Sequence, residues 1–133
     1  MKAKTNKELV NLYYEELWNE HNKKYVDILF ADDITFRGSF GVHTQGKEEF
    51  ITYMDSVLAG MPDMYHTVEH VVSENNYAAA RANYRGTHVN KLFEFEPTNE
   101  RVKFSGASFF KFNNGKIVDI WVLGDLINLH KQS

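Results

Sequence analysis

Leu9, Tyr13 and Leu17, with Val10, Tyr14 and Trp18 beside them, recur at the spacing of one helix face. Thr5 followed three residues later by Glu8 has the spacing of a capping box, in which each side chain satisfies the other's backbone amide at a helix start. Together these features predict a helix over about Asn6 to Asn19. Lys23 to Phe30 reads as a shorter second helix, Ile34 to Arg37 as a short strand, and Lys47 to Ala59 as a third helix carrying Phe50, Ile51, Met54, Val57 and Leu58. After Pro62 the pattern changes to β-branched and aromatic runs between short polar turns. It predicts strands over Met64 to Ser73, Tyr77 to His88, Arg101 to Phe112 and Lys116 to Gly124. Helices first and an antiparallel meander second make an α+β arrangement.

Asn114-Gly115 is the strongest hairpin signal in the chain, because a type I′ turn needs positive φ at both central residues. Pairing Asn113 with Lys116 then sets Phe112 opposite Ile117, Phe110 opposite Asp119, Ser108 opposite Trp121, Gly106 opposite Leu123 and Phe104 opposite Asp125 on one face. Lys111, Phe109, Ala107 and Ser105 share the other face with Val118, Ile120, Val122 and Gly124. Both faces are largely apolar, so both need cover. Three helices suffice for one, and a second copy of the chain is the simplest cover for the other, which predicts a homodimer through Ala107, Phe109, Ile120 and Val122. On the first face, small Gly106 and Ser108 across from Leu123 and Trp121 leave room for a pocket.

The 133 residues, 43% apolar and 14% aromatic, are enough for one core and too few for two, so residues 1–133 form a single domain. A formal charge of -3, with 15 basic and 18 acidic residues spread along the chain, leaves no basic stripe for nucleic acid. Without cysteine there is no disulfide framework, thiolate nucleophile or Cys-ligated zinc, and the first residues lack the apolar run of a signal peptide; a cytoplasmic protein is expected. The most apolar stretch, Ile117 to Leu129, is broken by Asp119, Gly124, Asp125 and Asn128, well short of the roughly 20 residues that span a bilayer, so no membrane partner is expected.

Asp125 follows an apolar run directly, where partial desolvation would raise its pKa toward a useful acid/base value; it equally suits the N-cap of a helix over Leu126 to Lys131. His88 ends a strand that runs parallel to the Asp125 strand with one strand between, a lateral separation of about 10 Å that one small organic substrate can bridge. The bland alternative is a strand-end surface histidine. Asp63 lies opposite His88 if Asn75-Asn76 is a two-residue turn, and would then orient the imidazole. Arg37 can point a fixed cation into the pocket or form a surface ion pair. His66-Thr67-Val68-Glu69-His70 spells a metalloprotease motif that works only on a helix. On a strand its histidines stand about 13 Å apart, too far to share an ion, and no metal is expected.

GluGluLeuTrpAsn in the first helix, PheArgGlySer at 36–39, ThrGlnGly before the third helix, Pro62-Asp63 and Gly86-Thr87-His88 occur in an order that resembles the SnoaL-like polyketide cyclase, or ester cyclase, family of the nuclear transport factor 2-like superfamily. Leu92-Phe93, Pro97-Thr98, Gly106-Ala107, PheLysPhe at 110–112, Gly115-Lys116-Ile117, TrpValLeuGlyAsp at 121–125 and Gln132 continue it over nearly the whole chain. The resemblance implies a cone in which three N-terminal helices pack on a bent, mainly antiparallel sheet around an apolar pocket. It implies a cofactor-free enzyme, a cyclase, isomerase or lyase that moves a proton next to a carbonyl of a hydrophobic small molecule. Asp125 and His88 would be the catalytic residues, and Arg37, Trp121, Phe104, Ser108 and Tyr84 would contact substrate. Other members of the fold only bind ligands or dimerise, and that reading stays open beside the enzyme. Asn90, Glu94 and Asn99 stand where members usually carry glycine, although asparagine also accepts the left-handed backbone.

Overall fold

The computed structural model describes residues 4–132. Helix α1 (Asn6–Leu12) starts at the capping box, with Thr5 and Glu8 each accepting from the other's amide, and runs into a π-helical segment (Tyr13–Asn19). Helix α2 (Lys24–Leu29) leads into strand β1 (Phe30–Arg37), followed by β2 (His43–Gln45) and helix α3 (Lys47–Gly60). The meander comprises β3 (Tyr65–Glu74), β4 (Tyr77–Thr87), β5 (Arg101–Asn113) and β6 (Lys116–Gly124), and a short helix α4 (Leu126–Lys131) closes the chain. Each predicted element is present, with ends displaced by a few residues.

The sheet is mixed, in the order β2-β1-β6-β5-β4-β3. β1 starts four residues earlier than predicted and pairs in parallel with β6, while β2 is a short antiparallel edge that the apolar pattern did not reveal. The Asn114-Gly115 turn forms with φ of 52° and 75°, and Asn113 pairs with Lys116 as expected. Beyond that the expected register fails. A β-bulge lies between the Phe112–Ile117 and Lys111–Asp119 pairs, so Val118 is an extra residue on β6, and every later β6 side chain changes face. Phe110 pairs with Ile120, Ser108 with Val122, and Gly106 with Gly124.

The inner face therefore carries Tyr84 from β4, Phe104, Ser108 and Phe110 from β5, and Ile120 and Val122 from β6, all buried beneath the helices. The helices contribute Tyr14, Leu17 and Trp18 from the π segment, Leu29 from α2, and Phe50 and Met54 from α3. The outer face presents Phe109 (53% exposed), Trp121 (41%) and Leu123 (52%). The predicted dimer face is corrected accordingly. Ile120 and Val122 belong to the core, and Trp121 and Leu123 take their places beside Ala107 and Phe109. Among the described residues no helix is long and apolar enough to cross a membrane.

Candidate functional site

Where the π segment, α3 and the inner face meet, a small cavity remains, lined by Tyr13, Tyr14, Trp18, Tyr53, His66, Tyr84 and Ser108 with apolar neighbours. Its volume of about 20 Å³ holds about one water molecule. The π segment explains why the helix wall is so aromatic. Its wider turn brings adjacent Tyr13 and Tyr14, and adjacent Leu17 and Trp18, inward together.

Three hydroxyls of the cavity, from Tyr14, Tyr84 and Ser108, form one group. The Tyr14 and Ser108 hydroxyls share a 2.6 Å hydrogen bond. The Tyr84 hydroxyl joins them, and it occupies the space over Gly106: a Cβ at that position would overlap it. The small residues on β5 thus admit a tyrosine hydroxyl rather than leaving the void expected from the sequence. His66 closes the group, its ring 4.8 Å from that of Tyr84, 5.5 Å from Tyr14 and 5.2 Å from Trp18. Asn19, at the end of the π segment, fixes His66 by accepting from its amide at 2.7 Å and donating to its carbonyl at 2.9 Å. The Asn19 Oδ1 also lies 3.4 Å from His66 Nδ1, so a proton on Nδ1 leaves Nε2 as the acceptor.

Burial pushes these groups' proton affinities apart. Desolvation raises the Tyr84 phenol to about 12, against the lowering effect of its bonds to Ser108 and Tyr14. It also holds Tyr14 well above the ordinary phenol value. The same desolvation lowers His66 from 6.5 to about 3. The cavity therefore contains hydroxyls that remain protonated and an imidazole that remains neutral across the ordinary pH range.

Of the residues expected to contact substrate, Tyr84 and Ser108 line this cavity, and Phe104 packs edge-on behind Tyr84 with ring centroids 5.0 Å apart. Trp121 and Arg37 do not join them. The bulge turns Trp121 outward against Phe109, and Arg37 donates to the Val122 carbonyl while its guanidinium sits 5.0 Å over the Trp121 ring. Asp125 is the N-cap of α4, accepting from the Asn128 amide at 3.2 Å, and lies exposed in an outer-face groove with Arg81, Ser105 and Ile127. The Asp125 amide bonds the Ser105 carbonyl, and Ser105 pairs with Asn83. Asp125 is thus level with Asn83, and His88 is five residues, or about 16 Å, further along β4. β6 ends opposite Gly106, which pairs with Ala82, while β4 runs on to Thr87, and this keeps the two apart.

His88 is fully buried under the following loop, and burial lowers its pKa against the raising effect of the Phe95 and Asn90 backbone groups beside its ring. Asp63 does not reach it. The Asp63 carboxylate accepts from the Thr87 amide at 2.6 Å and hydroxyl at 2.7 Å, and the amide bond holds it below its usual pKa. The histidine pair of the metalloprotease-like string lies on β3, with His66 in the core and His70 exposed.

The model of the family described as SnoaL-like polyketide cyclase matches residues 8–133. Among solved structures, a protein from Jannaschia sp. CCS1 assigned to the SnoaL-like polyketide cyclases superposes with a TM-score of 0.86 at 15% identity, covering 98% of this chain and 96% of that one. IdmH of Streptomyces antibioticus, assigned as a polyketide cyclase, gives 0.81 at 21% identity over 95% and 96%. A Catenulispora acidiphila protein with a ketosteroid isomerase-like fold, solved with trimethylamine, gives 0.80 at 19% identity over 97% and 94%. No curated protein has a matching sequence.

Proposed function

The chain belongs to the SnoaL-like polyketide cyclase family and has its nuclear transport factor 2-like cone, and we propose that it is a cofactor-independent acid/base enzyme, of cyclase or isomerase type, acting next to a carbonyl of a hydrophobic small molecule. The observation that carries this reading is the cluster of Tyr14, Tyr84 and Ser108 hydroxyls facing His66 inside an aromatic cavity. A ligand carbonyl taking the place of a water there accepts hydrogen bonds from hydroxyls that burial keeps protonated. Negative charge developing on that oxygen is stabilised more than the neutral carbonyl, which lowers the barrier to removing the adjacent proton. Neutral His66 is the acceptor for that proton and can return it to a second carbon or to oxygen. The shifts, up to about 12 for Tyr84 and down to about 3 for His66, leave the phenol protonated and the imidazole neutral before that transfer begins. Asp125 and His88, the catalytic pair expected from the resemblance, act in this reading as the α4 cap and as part of the support for the loop after β4.

The outer face bearing Ala107, Phe109, Trp121 and Leu123 is the self-association surface in this proposal, because it is a contiguous apolar patch on the face of the sheet that the helices leave open. A second functional reading, a ligand-binding domain without catalysis, is favoured by one observation, the cavity volume of about 20 Å³. The two are separated by proton exchange at the α-carbon of 2-tetralone in heavy water, followed by NMR. The enzyme should exceed buffer, and Tyr84→Phe and Ser108→Ala should each lose about 100-fold of that acceleration with the fold retained. Exchange no faster than buffer leaves the binding reading.

A further inference from the structure

The segment joining β4 to β5 packs against the cavity and is fixed at both ends. The His88 amide donates to the Glu100 carbonyl at 3.0 Å and the Asn99 amide to the His88 carbonyl at 2.8 Å. The Val89 amide reaches the Gly60 carbonyl at 2.9 Å, and Leu92 is fully buried against Gly60, whose missing Cβ gives it space. Leu92 and Phe95 then exchange two backbone hydrogen bonds of 2.9 and 2.8 Å, leaving Phe93 and Glu94 as a two-residue tip.

Phe93 holds φ at 53°. The other described non-glycine residues with positive φ are three asparagines and His21, types that accept this conformation, whereas a bulky aromatic there is an outlier whose surroundings must hold it. Those surroundings are the cavity wall. The Phe93 ring lies nearly parallel to Tyr53, with centroids 5.6 Å apart and planes at 20°, and 5.2 Å from Phe40. Tyr53 and Phe40 both line the cavity. Tyr53 is a firm platform, because its hydroxyl bonds Ser39 and fills the notch over Gly38, where a Cβ would overlap it. A strained aromatic stacked on the wall of a cavity with room for one water is doing what a ligand ring would do.

We propose that Phe93 fills a ring-binding subsite of this cavity, and that a planar conjugated ring of the ligand takes its place on Tyr53 and Phe40 when the tip swings outward. The inference rests on the cavity being the ligand site, as in the proposed function, and it assigns one position within that site to Phe93. A flat ring is favoured at that position, because parallel stacking rewards planarity and a puckered saturated ring of the same size cannot stack.

The test is calorimetric binding of 2-naphthol, a planar bicyclic phenol, and of its saturated counterpart decahydro-2-naphthol, to the full chain. Wild type is compared with Phe93→Gly and Phe93→Asn, which remove the ring and accept the left-handed backbone, so the fold is kept. Each variant should bind 2-naphthol about tenfold more tightly than wild type, since the internal ring no longer competes, and should show no such gain for the saturated alcohol. Phe93→Leu, which refills the space, should stay at the wild-type affinity. Unchanged 2-naphthol affinity in both ring-removing variants, or an equal gain for decahydro-2-naphthol, overturns the proposal. The readout is binding alone, so failure of the proton-exchange assay would remove the chemistry and leave the subsite standing, and the reverse outcome would do the opposite.

Discussion

Replacing Gly106 by alanine tests how the Tyr84 hydroxyl is held. A Cβ at Gly106 would overlap the Tyr84 oxygen first and its ring edge next, while the opposite side of the ring is packed against Phe104 and His66. Relief requires Tyr84 to leave its rotamer or β5 to shift, and overpacking of this kind costs about 1–3 kcal/mol. Displacing the hydroxyl from Ser108 and Tyr14 adds the loss of a buried hydrogen bond, about 1 kcal/mol, for a total of roughly 2–4 kcal/mol. In urea denaturation this is read as a lower midpoint at unchanged slope. A double-mutant cycle separates the cause from a general effect on the strand. Tyr84→Leu ends short of the notch, so adding Gly106→Ala to it should be neutral, or stabilising by up to about 1 kcal/mol through the unfolded chain. A cost for Gly106→Ala below about 0.5 kcal/mol, or the same cost in both backgrounds, would show that the glycine does not hold the tyrosine.

Three further outcomes are expected. Asp125→Asn should match wild type in urea, since asparagine caps as well, whereas Asp125→Ala should lose about 1 kcal/mol; equal stability of all three would remove the cap. Light scattering at micromolar concentration should give a dimer that Phe109→Glu or Trp121→Glu converts to monomer, and a monomeric wild type would refute the outer-face assignment. His66 is neutral when folded but takes up a proton near 6.5 when unfolded, so the unfolded state binds more protons between pH 6.5 and 3 and stability falls as pH falls through that window. The loss should reach roughly 2 kcal/mol by pH 5, followed by thermal melts, and His66→Gln should flatten the profile; an unchanged profile would place the titration elsewhere.

The elements were legible because each carries a local signal. The capping box set the first helix start, Asn114-Gly115 set the tip of the last hairpin, and the switch of period after Pro62 divided helices from strands. The register of β6 was not legible, because Ile117, Val118, Ile120, Val122 and Leu123 are apolar without alternation, and a one-residue bulge in such a run leaves no trace in the pattern. The parallel β1–β6 pairing joins residues as far apart in the chain as Phe30 and Ile117 and has no local signature. The site divided along the same line. Tyr84 and Ser108 line the cavity from β4 and β5, whose pairing is regular, while the β6 bulge turns Trp121 to the outer face. His66 and Tyr14 also line the cavity, and the sequence did not single them out for it. Tyr14 was legible only as one apolar position on a helix face, and His66 was weighed solely as a metal ligand. The available signal was a histidine in a β-branched run, two positions from Met64 on the same strand face, together with an unusually aromatic helix face.

The π-helical stretch has a consequence for how the chain tolerates change in length. A π segment is an α-helix that has absorbed extra residues without losing its flanking turns. Here the N-terminal end is tied to the β3–β4 turn through Asn6 and the Asn75 carbonyl, and the C-terminal end is tied to β3 through Asn19 and His66. The wide turns between these anchors act as a vernier. Removing one residue, such as exposed Glu15, would tighten the coil toward α-helix and leave the Asn6 and Asn19 ends close to their present phase, while changing which side chains between them face the cavity. Single-residue insertions and deletions between Leu12 and Trp18 would therefore reshape the helix wall in discrete steps, with no change of any side chain facing the cavity from the sheet.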